Sequence, residues 1–414
     1  MKDEKKTSRS PELEGEEKRE HGKNRDHGHD REKNREHGRD KSREHSWGRG
    51  FGRRHPGEVT GKYQLKDPKN FLEVQNLVVE YSSDKKIVQA VNGISFSLKK
   101  GETLGLVGET GAGKTTIAKA IMRILPDPPA KVKDGAVFVG GRDLMQMPEH
   151  KMLKIRGAEI AMIFQDPMTA LNPLMSVGDQ IMEVVQIHNH YTREEALEHT
   201  CKMLEMVGIP RSRSVEYPHQ FSGGMKQRVV IAMALACNPE LLLADEPTTA
   251  LDVTIQAQVL DMIRDLRDRL NTSMVLITHD LGVVAETCDK VAVIYAGKIV
   301  EYGSKEDIFR HPTHPYTLGL FGSLPKLDDD SKRLSPIHGL PPDPTNLPEG
   351  CAFHPRCPLT KKTAAHKSPV QDEEAKGKRA HICPVCFEGE PPLREITPGH
   401  FVACHLCGNG KEAE

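Results

Sequence analysis

The chain carries a glycine-rich run whose residue types could bind a phosphate group. It reads Gly108-Glu109-Thr110-Gly111-Ala112-Gly113-Lys114-Thr115-Thr116. The run follows a predicted strand and opens a predicted helix, so backbone N–H groups can close around phosphate oxygens at a helix N-terminus. Lys114 would supply positive charge to the β- and γ-phosphates, and the Thr115 hydroxyl would ligate Mg²⁺. The run therefore predicts a nucleotide-binding loop rather than a glycine-rich turn that binds nothing.

Two carboxylates follow an apolar run farther along the chain. Residues 241–244 are followed directly by Asp245 and Glu246. Because ligands of open α/β sheets bind at the carboxyl ends of strands, a strand here would deliver both acids to such an edge. Asp245 would hold Mg²⁺, directly or through water, and Glu246 would polarise an attacking water molecule. The alternative is a solvated turn whose two acids bind no ligand, and the presence of a phosphate loop upstream in the chain argues against it.

A second glycine–hydroxyl element opens another predicted helix. Its residues are Ser222, Gly223 and Gly224. Ser222 would cap the helix, and the two glycines would expose N–H groups to an anion. One nucleotide does not need two such anion-binding sites from the same chain. We therefore expect two subunits to face each other, each clamping the nucleotide that the other holds; an ordinary helix cap is the alternative.

Short apolar runs alternate with helical patterns from residue 71 to about residue 303. The predicted strands are 72–81, 87–98, 102–107, 159–164, 241–244, 273–278 and 290–295. The predicted helices are 114–125, 193–207, 223–236 and 255–270. This alternation predicts an α/β fold with a mainly parallel sheet covered on both faces. The β-rich opening predicts an antiparallel β subdomain on one side.

Six elements, in their order and spacing, resemble those of ATP-binding-cassette (ABC) ATPases. They are the phosphate loop, Phe164-Gln165-Asp166, Ser222-Gly223-Gly224, Asp245-Glu246, Ala250-Leu251-Asp252 and Thr278-His279-Asp280. The resemblance covers about residues 71–303 and implies a P-loop ABC ATPase with a helical subdomain. It implies that Gln165 senses Mg²⁺, the attacking water and a membrane partner, that His279 contacts the γ-phosphate, and that Asp252 lies at the interface between cassettes. Tyr81 sits where this family places an aromatic residue that stacks on adenine.

Further segments resemble the peptide and nickel importer branch of the same family. They are residues 166–173, 311–317, 350–351, 355–358, 391–394 and 399–405. The resemblance implies an ABC ATPase domain over 71–303 and an oligopeptide/dipeptide transporter C-terminal region with a cysteine cluster over 304–414. The chain departs from the family in an additional N-terminal segment and in about two dozen residues between 360 and 384.

The nine cysteines divide into two groups. Three are scattered through apolar helical patterns, where they are expected to be small buried side chains: Cys201, Cys237 and Cys288. Two patterns compete for the other six. Cys383, Cys386, Cys404 and Cys407 have the spacing of a four-thiolate zinc ribbon. The resemblance instead aligns Cys351, Cys357, Cys386 and Cys404, a set that could hold a 4Fe–4S cluster. We favour the second set, with zinc as the alternative metal.

Residues 1–57 differ in composition from the rest of the chain. They contain 17 Lys or Arg, 13 Asp or Glu and six histidines, but only four large apolar residues. Such a segment cannot offset the entropy of ordering, so we predict a disordered tail whose histidines could chelate a divalent metal weakly. The remainder is acidic overall, which disfavours nucleic-acid binding. The longest apolar run, 229–237, is too short to cross a bilayer, so we expect a soluble intracellular protein.

Taken with the resemblance, these features indicate a transport ATPase that drives import of oligopeptides, dipeptides or a related solute. The implied partners are integral-membrane permease subunits, a second cassette in a homo- or heterodimer and, indirectly, an extracellular solute-binding protein. The implied location is the cytoplasmic face of the cell membrane, as a peripheral subunit. Three alternatives remain: a nickel importer ATPase, a soluble ABC-type ATPase acting on ribosomes or DNA, and a metal-binding regulatory module with a vestigial cassette.

Overall fold

The computed structural model describes residues 62–83, 86–249, 252–323, 337–360 and 383–407. All of them belong to one unit, Arg53–Glu414. The tail 1–57 predicted to be disordered lies outside the described residues, as does most of the segment that interrupts the cysteine region.

A four-stranded antiparallel sheet begins the described part of the chain. Its strand order is β2-β1-β4-β5. The strands are β1 (Asn70–Ser83), β2 (Lys86–Lys99), β4 (Ala130–Val139) and β5 (Arg142–Asp143). Along β2, buried positions alternate with exposed ones, as expected for a sheet with one face on the core. The predicted antiparallel β subdomain is confirmed.

The main sheet has eight strands in the order β11-β12-β10-β9-β3-β8-β7-β6. Its parallel part consists of β6 (Ile160–Ile163), β7 (Leu241–Asp245), β8 (Ser273–Ile277), β3 (Thr103–Val107) and β9 (Lys290–Tyr295). In the first four of these strands every residue is buried. Continuous apolar runs are therefore the right sequence signal for these strands, and the predicted mainly parallel sheet is confirmed.

Alternate residues of the central strands belong to two different core clusters. Leu242 and Leu276 pack in one cluster, whereas Leu241 and Ile277 pack in the other. Since successive side chains of a strand point to opposite faces, the sheet is covered on both sides. One face of the sheet is covered by α1 (Lys114–Ile121) and the antiparallel sheet. The other face is covered by α6 (Gly223–Leu235), α7 (Val253–Leu270) and α8 (Leu281–Thr287).

A mostly helical segment lies between β5 and β7 in the chain. It contains α2 (Glu149–Ile155), α3 (Pro167–Ala170), α4 (Val177–His188), α5 (Arg193–Met206) and two 3₁₀ turns (Arg211–Val215 and Pro218–Gln220). Thr192 and Glu195 form a capping box that starts α5. This segment is the helical subdomain that the resemblance implied.

One predicted helix is too long. The helix predicted over 114–125 ends at Ile121, because Arg123 adopts a left-handed backbone conformation with φ of 53°. Pro126 follows soon after and would itself prevent the helix from continuing.

The proline-rich sequence after Gly303 predicts a small appendage separate from the main sheet, whereas the structure packs this region against that sheet. The region contains α9 (Lys305–Arg310), α10 (Pro315–Gly322), α11 (Pro384–Glu388), β11 (Arg394–Thr397) and β12 (His400–Val402). β12 pairs antiparallel with β10 (Lys298–Ser304), and Tyr316 and Phe353 lie in the core of the body. A segment with little apolar surface of its own gains a core by packing against a larger one.

Candidate active site

The phosphate loop connects β3 to α1 through two glycine positions that accept no other residue. Gly108 has a φ of 153°, and a Cβ there would lie 2.1 Å from the carbonyl oxygen of Ile294. Gly113 has a φ of 99°, and its Cβ would lie 2.3 Å from the carbonyl oxygen of Ala90. Between them Gly111, at φ of 82°, faces open space. The loop is thus held between β9 and β2, with an open side for a ligand.

Lys114 lies at the centre of this loop. Its Nζ donates hydrogen bonds to the carbonyl oxygens of Gly108, at 2.8 Å, and Glu109, at 3.0 Å. Burial lowers the pKa of Lys114, and the nearby carboxylates of Glu246, Asp245 and Glu109 oppose that shift. The ammonium group therefore lies where the sequence predicted it, within the loop and close to the two acids.

Thr115 and Asp245 form a pair of oxygen donors beside the loop. The Thr115 hydroxyl donates to Oδ1 of Asp245 at 3.1 Å. Burial raises the pKa of Asp245, and the hydrogen bond from Thr115 counters the shift. A hydroxyl and a carboxylate next to a phosphate seat are the hard oxygen ligands that Mg²⁺ prefers, so these residues fit the predicted metal.

Glu246 brings the ends of three parallel strands together. Its Oε2 accepts hydrogen bonds from Nε2 of Gln165 and from the Thr249 hydroxyl, each at 2.9 Å. Its Oε1 lies 3.5 Å from Nδ1 of His279. Gln165 follows β6, Glu246 follows β7 and His279 follows β8, and the carboxyl ends of parallel strands meet at one edge. A carboxylate so placed can orient or deprotonate a water molecule that attacks phosphorus.

The backbone at Glu246 is itself constrained. Its φ of 46° is unusual for a residue other than glycine, and its N–H donates to the carbonyl oxygen of Ile277 at 2.9 Å. This left-handed turn directs the chain out of β7 while the carboxylate stays at the sheet edge. A substitution at this position therefore has to preserve the shape of the side chain if it is to test the chemistry alone.

The remaining predicted residues lie near the end of β1 and at the starts of α6 and α7. The hydroxyl of Tyr81 on β1 lies 3.3 Å from that of Thr116 on α1, so the ring is next to the phosphate loop. Ser222 caps α6 and Asp252 caps α7, accepting from the N–H groups of Met225 and Ile255. Gly223 faces open space. The hydrogen bonds described for Ser222 and Asp252 are local caps and do not reach the chain's own phosphate loop.

The six C-terminal cysteines gather in one region of the fold. The N–H of Cys351 donates to the carbonyl oxygen of Cys386 at 2.9 Å, and that of Cys386 donates to Cys383. Burial raises the pKa of Cys351 to about 11 and of Cys386 to about 12, while a hydrogen bond with Cys407 lowers that of Cys404.

The arrangement of the described thiols does not by itself identify a metal site. None of the nine cysteines, all within the described residues, forms a disulfide. In the described part of the chain, no group of three or more His, Cys, Asp or Glu side chains has the arrangement of a metal site. The structure therefore supports neither the iron–sulfur set nor the zinc set.

Sequence reasoning missed the contacts that support the phosphate loop from the C-terminal region. Arg356 pairs with Glu109, and the hydroxyl of Tyr316 accepts a hydrogen bond from the Glu109 N–H. It also missed Thr249, which lies three residues after Glu246. The only signal for Arg356 was its position between two cysteines of a matched motif, which says nothing about the loop it contacts.

The fold and the site together define an ATP-binding-cassette ATPase. A family model described as ABC transporter matches residues 91–249, and one described as oligopeptide/dipeptide transporter, C-terminal region, matches residues 300–363. The dipeptide transport ATP-binding protein DppD of Bacillus subtilis is 53% identical over 289 residues, which are 69% of this chain and 86% of that protein. The oligopeptide transport ATP-binding protein OppD of Escherichia coli is 47% identical over 335 residues, 80% of this chain and 92% of that protein.

Solved structures agree with this assignment. A dimeric ATP-binding cassette in a post-hydrolysis state, bound to ADP and Pi, has a TM-score of 0.52 at 25% identity over 56% of this chain and 98% of that chain. A cassette from Clostridium perfringens, CbiO1, part of the ABC transporter complex CbiONQ, has a TM-score of 0.51 at 25% identity. The match covers 59% of this chain and 92% of that chain.

The chain belongs to the ABC transporter family, within its oligopeptide and dipeptide transport ATP-binding proteins. It is an ATPase that uses ATP and Mg²⁺. Among the described helices, none is long and apolar enough to span a bilayer.

Proposed function

We propose that the chain hydrolyses ATP to energise the import of oligopeptides or dipeptides through separate permease subunits. The observation that carries this proposal is the match of residues 300–363 to the oligopeptide/dipeptide transporter C-terminal region. A complete catalytic set accompanies it: Lys114, Thr115, Gln165, Asp245, Glu246 and His279 lie at one edge of the sheet. A vestigial cassette would have no reason to keep that set together.

The complete site is proposed to form between two cassettes. Ser222 is exposed, Gly223 faces open space, and neither is used by the chain's own phosphate loop. A second copy or a related cassette would place its nucleotide against them, with Asp252 at the same interface and Tyr81 stacked on adenine. The assembled ATPase would lie at the cytoplasmic face of the membrane, bound to permease subunits that receive solute from an extracellular binding protein.

Uptake measurements test the transport proposal. In cells that lack the gene, we expect wild-type chain to restore uptake of radiolabelled di- and oligopeptides and Lys114→Ala to fail. Lys100→Ala, which removes a half-exposed lysine paired with Glu240, is the matched control and should restore uptake. Restored nickel uptake without peptide uptake would favour the nickel alternative. If the wild-type chain restores neither peptide nor nickel uptake and instead associates with ribosomes, a soluble ATPase would be favoured.

We also propose a division of the chain into a tail over 1–57, a cassette over 71–303 and a C-terminal region over 304–414. The tail would bind Ni²⁺ or Zn²⁺ weakly through its histidines and contribute nothing to folding. Deleting residues 2–57 should leave ATPase activity and the thermal midpoint unchanged while abolishing weak Ni²⁺ binding. Loss of folding in the truncated chain would contradict this division.

The C-terminal thiols are proposed to hold a metal centre. Thiolates suit iron–sulfur clusters and zinc, and neighbouring thiols contribute to the raised pKa of both Cys351 and Cys386. Anaerobically purified protein should be brown, with broad absorbance near roughly 400 nm. Colourless protein with one zinc, lost in Cys383→Ser but kept in Cys351→Ser, would assign the site to Cys383, Cys386, Cys404 and Cys407 instead.

A further inference from the structure

Arg356 contacts the phosphate loop from a distant part of the sequence. Its guanidinium group donates two hydrogen bonds to the Glu109 carboxylate, NH1 to Oε2 at 2.7 Å and NH2 to Oε1 at 2.9 Å. The Arg356 side chain is only 6% exposed. The Glu109 side chain is 26% exposed, so the pair is partly buried. A bidentate arginine–carboxylate pair with a buried guanidinium group is both stronger and more directional than a surface ion pair.

Glu109 is held at all three of its polar groups. Its N–H donates to the Tyr316 hydroxyl at 2.8 Å, its carbonyl oxygen accepts from Nζ of Lys114 at 3.0 Å, and its carboxylate accepts from Arg356. Two of these three partners come from the region after Gly303. The second residue of the phosphate loop is therefore fixed by that region and by the lysine that the loop encloses.

The support behind Glu109 is rigid. The rings of Tyr295 and Tyr316 have centroids 4.6 Å apart, and Phe353 meets Tyr295 edge-on at 5.1 Å. Arg356 lies over the ring of Tyr295, donates to its hydroxyl at 3.3 Å, and donates through Nε to the carbonyl oxygen of His338 at 3.2 Å. All three rings are at least 98% buried. Packed aromatic side chains of this kind leave Arg356 few alternative positions.

The charge of Glu109 would oppose a polyphosphate ligand if it were not compensated. The carboxylate belongs to the loop that closes around phosphate oxygens, and like charges repel more strongly where solvent is partly excluded. Arg356 cancels that charge without entering the ligand site. This separates its role from that of Lys114, which lies inside the loop.

We infer that Arg356 is a positioning residue through which the C-terminal region holds Glu109, neutralises it and keeps the phosphate loop competent to bind the polyphosphate of ATP. The inference rests on the assignment of the ATP site. It gives the C-terminal region a direct role in nucleotide binding, beside any role that its cysteines have.

Nucleotide affinity tests this inference in the full-length protein. We expect Arg356→Gln to raise the Kd for MgATP by about tenfold or more, the Kd for ADP by less, and the Kd for AMP very little, because the uncompensated carboxylate repels each added phosphate charge. The double variant Glu109→Gln/Arg356→Gln, which removes both charges, should bind MgATP more tightly than Arg356→Gln alone. Arg211→Gln, which removes an exposed pair with Glu198, is the matched control and should bind as wild type does.

Each other outcome contradicts the inference. Equal losses of affinity for ATP, ADP and AMP would show that Arg356 has only a structural role. Unchanged affinity for all three would show that Arg356 does not contribute to nucleotide binding by the loop. If Arg356→Gln does not fold, Arg356→Lys keeps the charge but loses the bidentate geometry, and wild-type affinity in that variant would contradict positioning. Failure of the wild-type chain to bind ATP would instead contradict the ATP site itself.

Discussion

The amide nitrogen Nε2 of Gln165 lies 2.9 Å from Oε2 of Glu246, so the residue that leads into the helical segment is bonded to the carboxylate that is proposed to act on water. Gln165 stands between β6 and the first turn of α3. A displacement of α3 that moves Gln165 therefore changes the hydrogen bonding of Glu246. This contact is a physical route by which the helical segment could influence hydrolysis.

Replacement of Glu246 by glutamine tests the catalytic carboxylate. Glu246→Gln keeps the side-chain shape that the left-handed backbone requires but cannot deprotonate or strongly orient water. We expect ATP binding to persist and turnover to fall by about 10²- to 10⁴-fold, the usual contribution of a general base. The variant should also remain an ATP-bound dimer on a sizing column.

The matched control is Glu240→Gln, which changes an exposed glutamate in an ion pair with Lys100. Its turnover should equal that of the wild type, since exposed pairs contribute little. Near-normal turnover in Glu246→Gln would remove Glu246 from the catalytic role.

A second prediction concerns the Ser222-Gly223-Gly224 element at the start of α6. If Ser222 and Gly223 act on the nucleotide of a facing subunit, Ser222→Arg should impair hydrolysis severely while the ATP affinity of the monomer stays within about twofold. The bulky side chain would fill the open space in front of Gly223 and block the facing cassette. Fluorescent-nucleotide titration of the monomer and a turnover assay at high protein concentration separate the two effects.

Ser222→Ala is the control for the loss of the helix cap. It removes the bond accepted from the Met225 N–H but adds no bulk, so its stability loss, about 1 kcal/mol, measures the contribution of the cap. A large fall in monomer affinity in Ser222→Arg would show that the element serves its own chain.

Local patterns predicted where Lys114 and Glu246 lie in the fold, whereas Gln165 and His279 were proposed from the family resemblance. Lys114 begins a helix after a glycine-rich turn, and Glu246 directly follows a strand that the apolar run predicts, so short-range pattern and chain order are enough to place both. Parallel strands with buried residues throughout have the clearest sequence signal, and β7 and β8 were predicted to within a residue.

The contacts of the C-terminal region could not be predicted in this way. Arg356 and Glu109 are 247 positions apart, and nothing in the composition around either residue indicates its partner. The pairing of Tyr302 with Phe401, which joins β12 to the main sheet, is set by packing at the sheet edge rather than by a pattern within either strand. Long-range pairs of this kind depend on the whole fold.

The strand that leads into the phosphate loop supplies a stability prediction. Leu106 on β3 is fully buried, so Leu106→Ala should lower the free energy of unfolding by about 2–5 kcal/mol, through lost burial and the cavity left behind. The control is Leu174→Ala, at a side chain that is 84% exposed, where we expect a change within about 0.5 kcal/mol. Urea unfolding of both variants gives the comparison, and equal midpoints would contradict the placement of Leu106 in the core.

A pH-dependent contribution to stability is expected from His314. Burial lowers the pKa of His314 to about 4, and its Nδ1 accepts a hydrogen bond from the Tyr316 N–H, which only the neutral ring can do. The nearby Glu301 carboxylate, which accepts from the His314 N–H, opposes the shift without cancelling it.

The unfolded chain, in which this histidine has its ordinary pKa of about 6.5, therefore binds the proton more readily than the folded chain between pH 6.5 and 4. Stability should fall as the pH is lowered through that window, by up to about 1.4 kcal/mol for each pH unit from this one group. His314→Asn keeps an acceptor at the start of α10 but cannot titrate, so urea unfolding at pH 7 and pH 5 should show a smaller loss between the two pH values than in the wild type. His150→Asn, at an exposed histidine, should leave the wild-type pH dependence in place. An identical loss in wild type and His314→Asn would show that His314 is not held neutral in the fold.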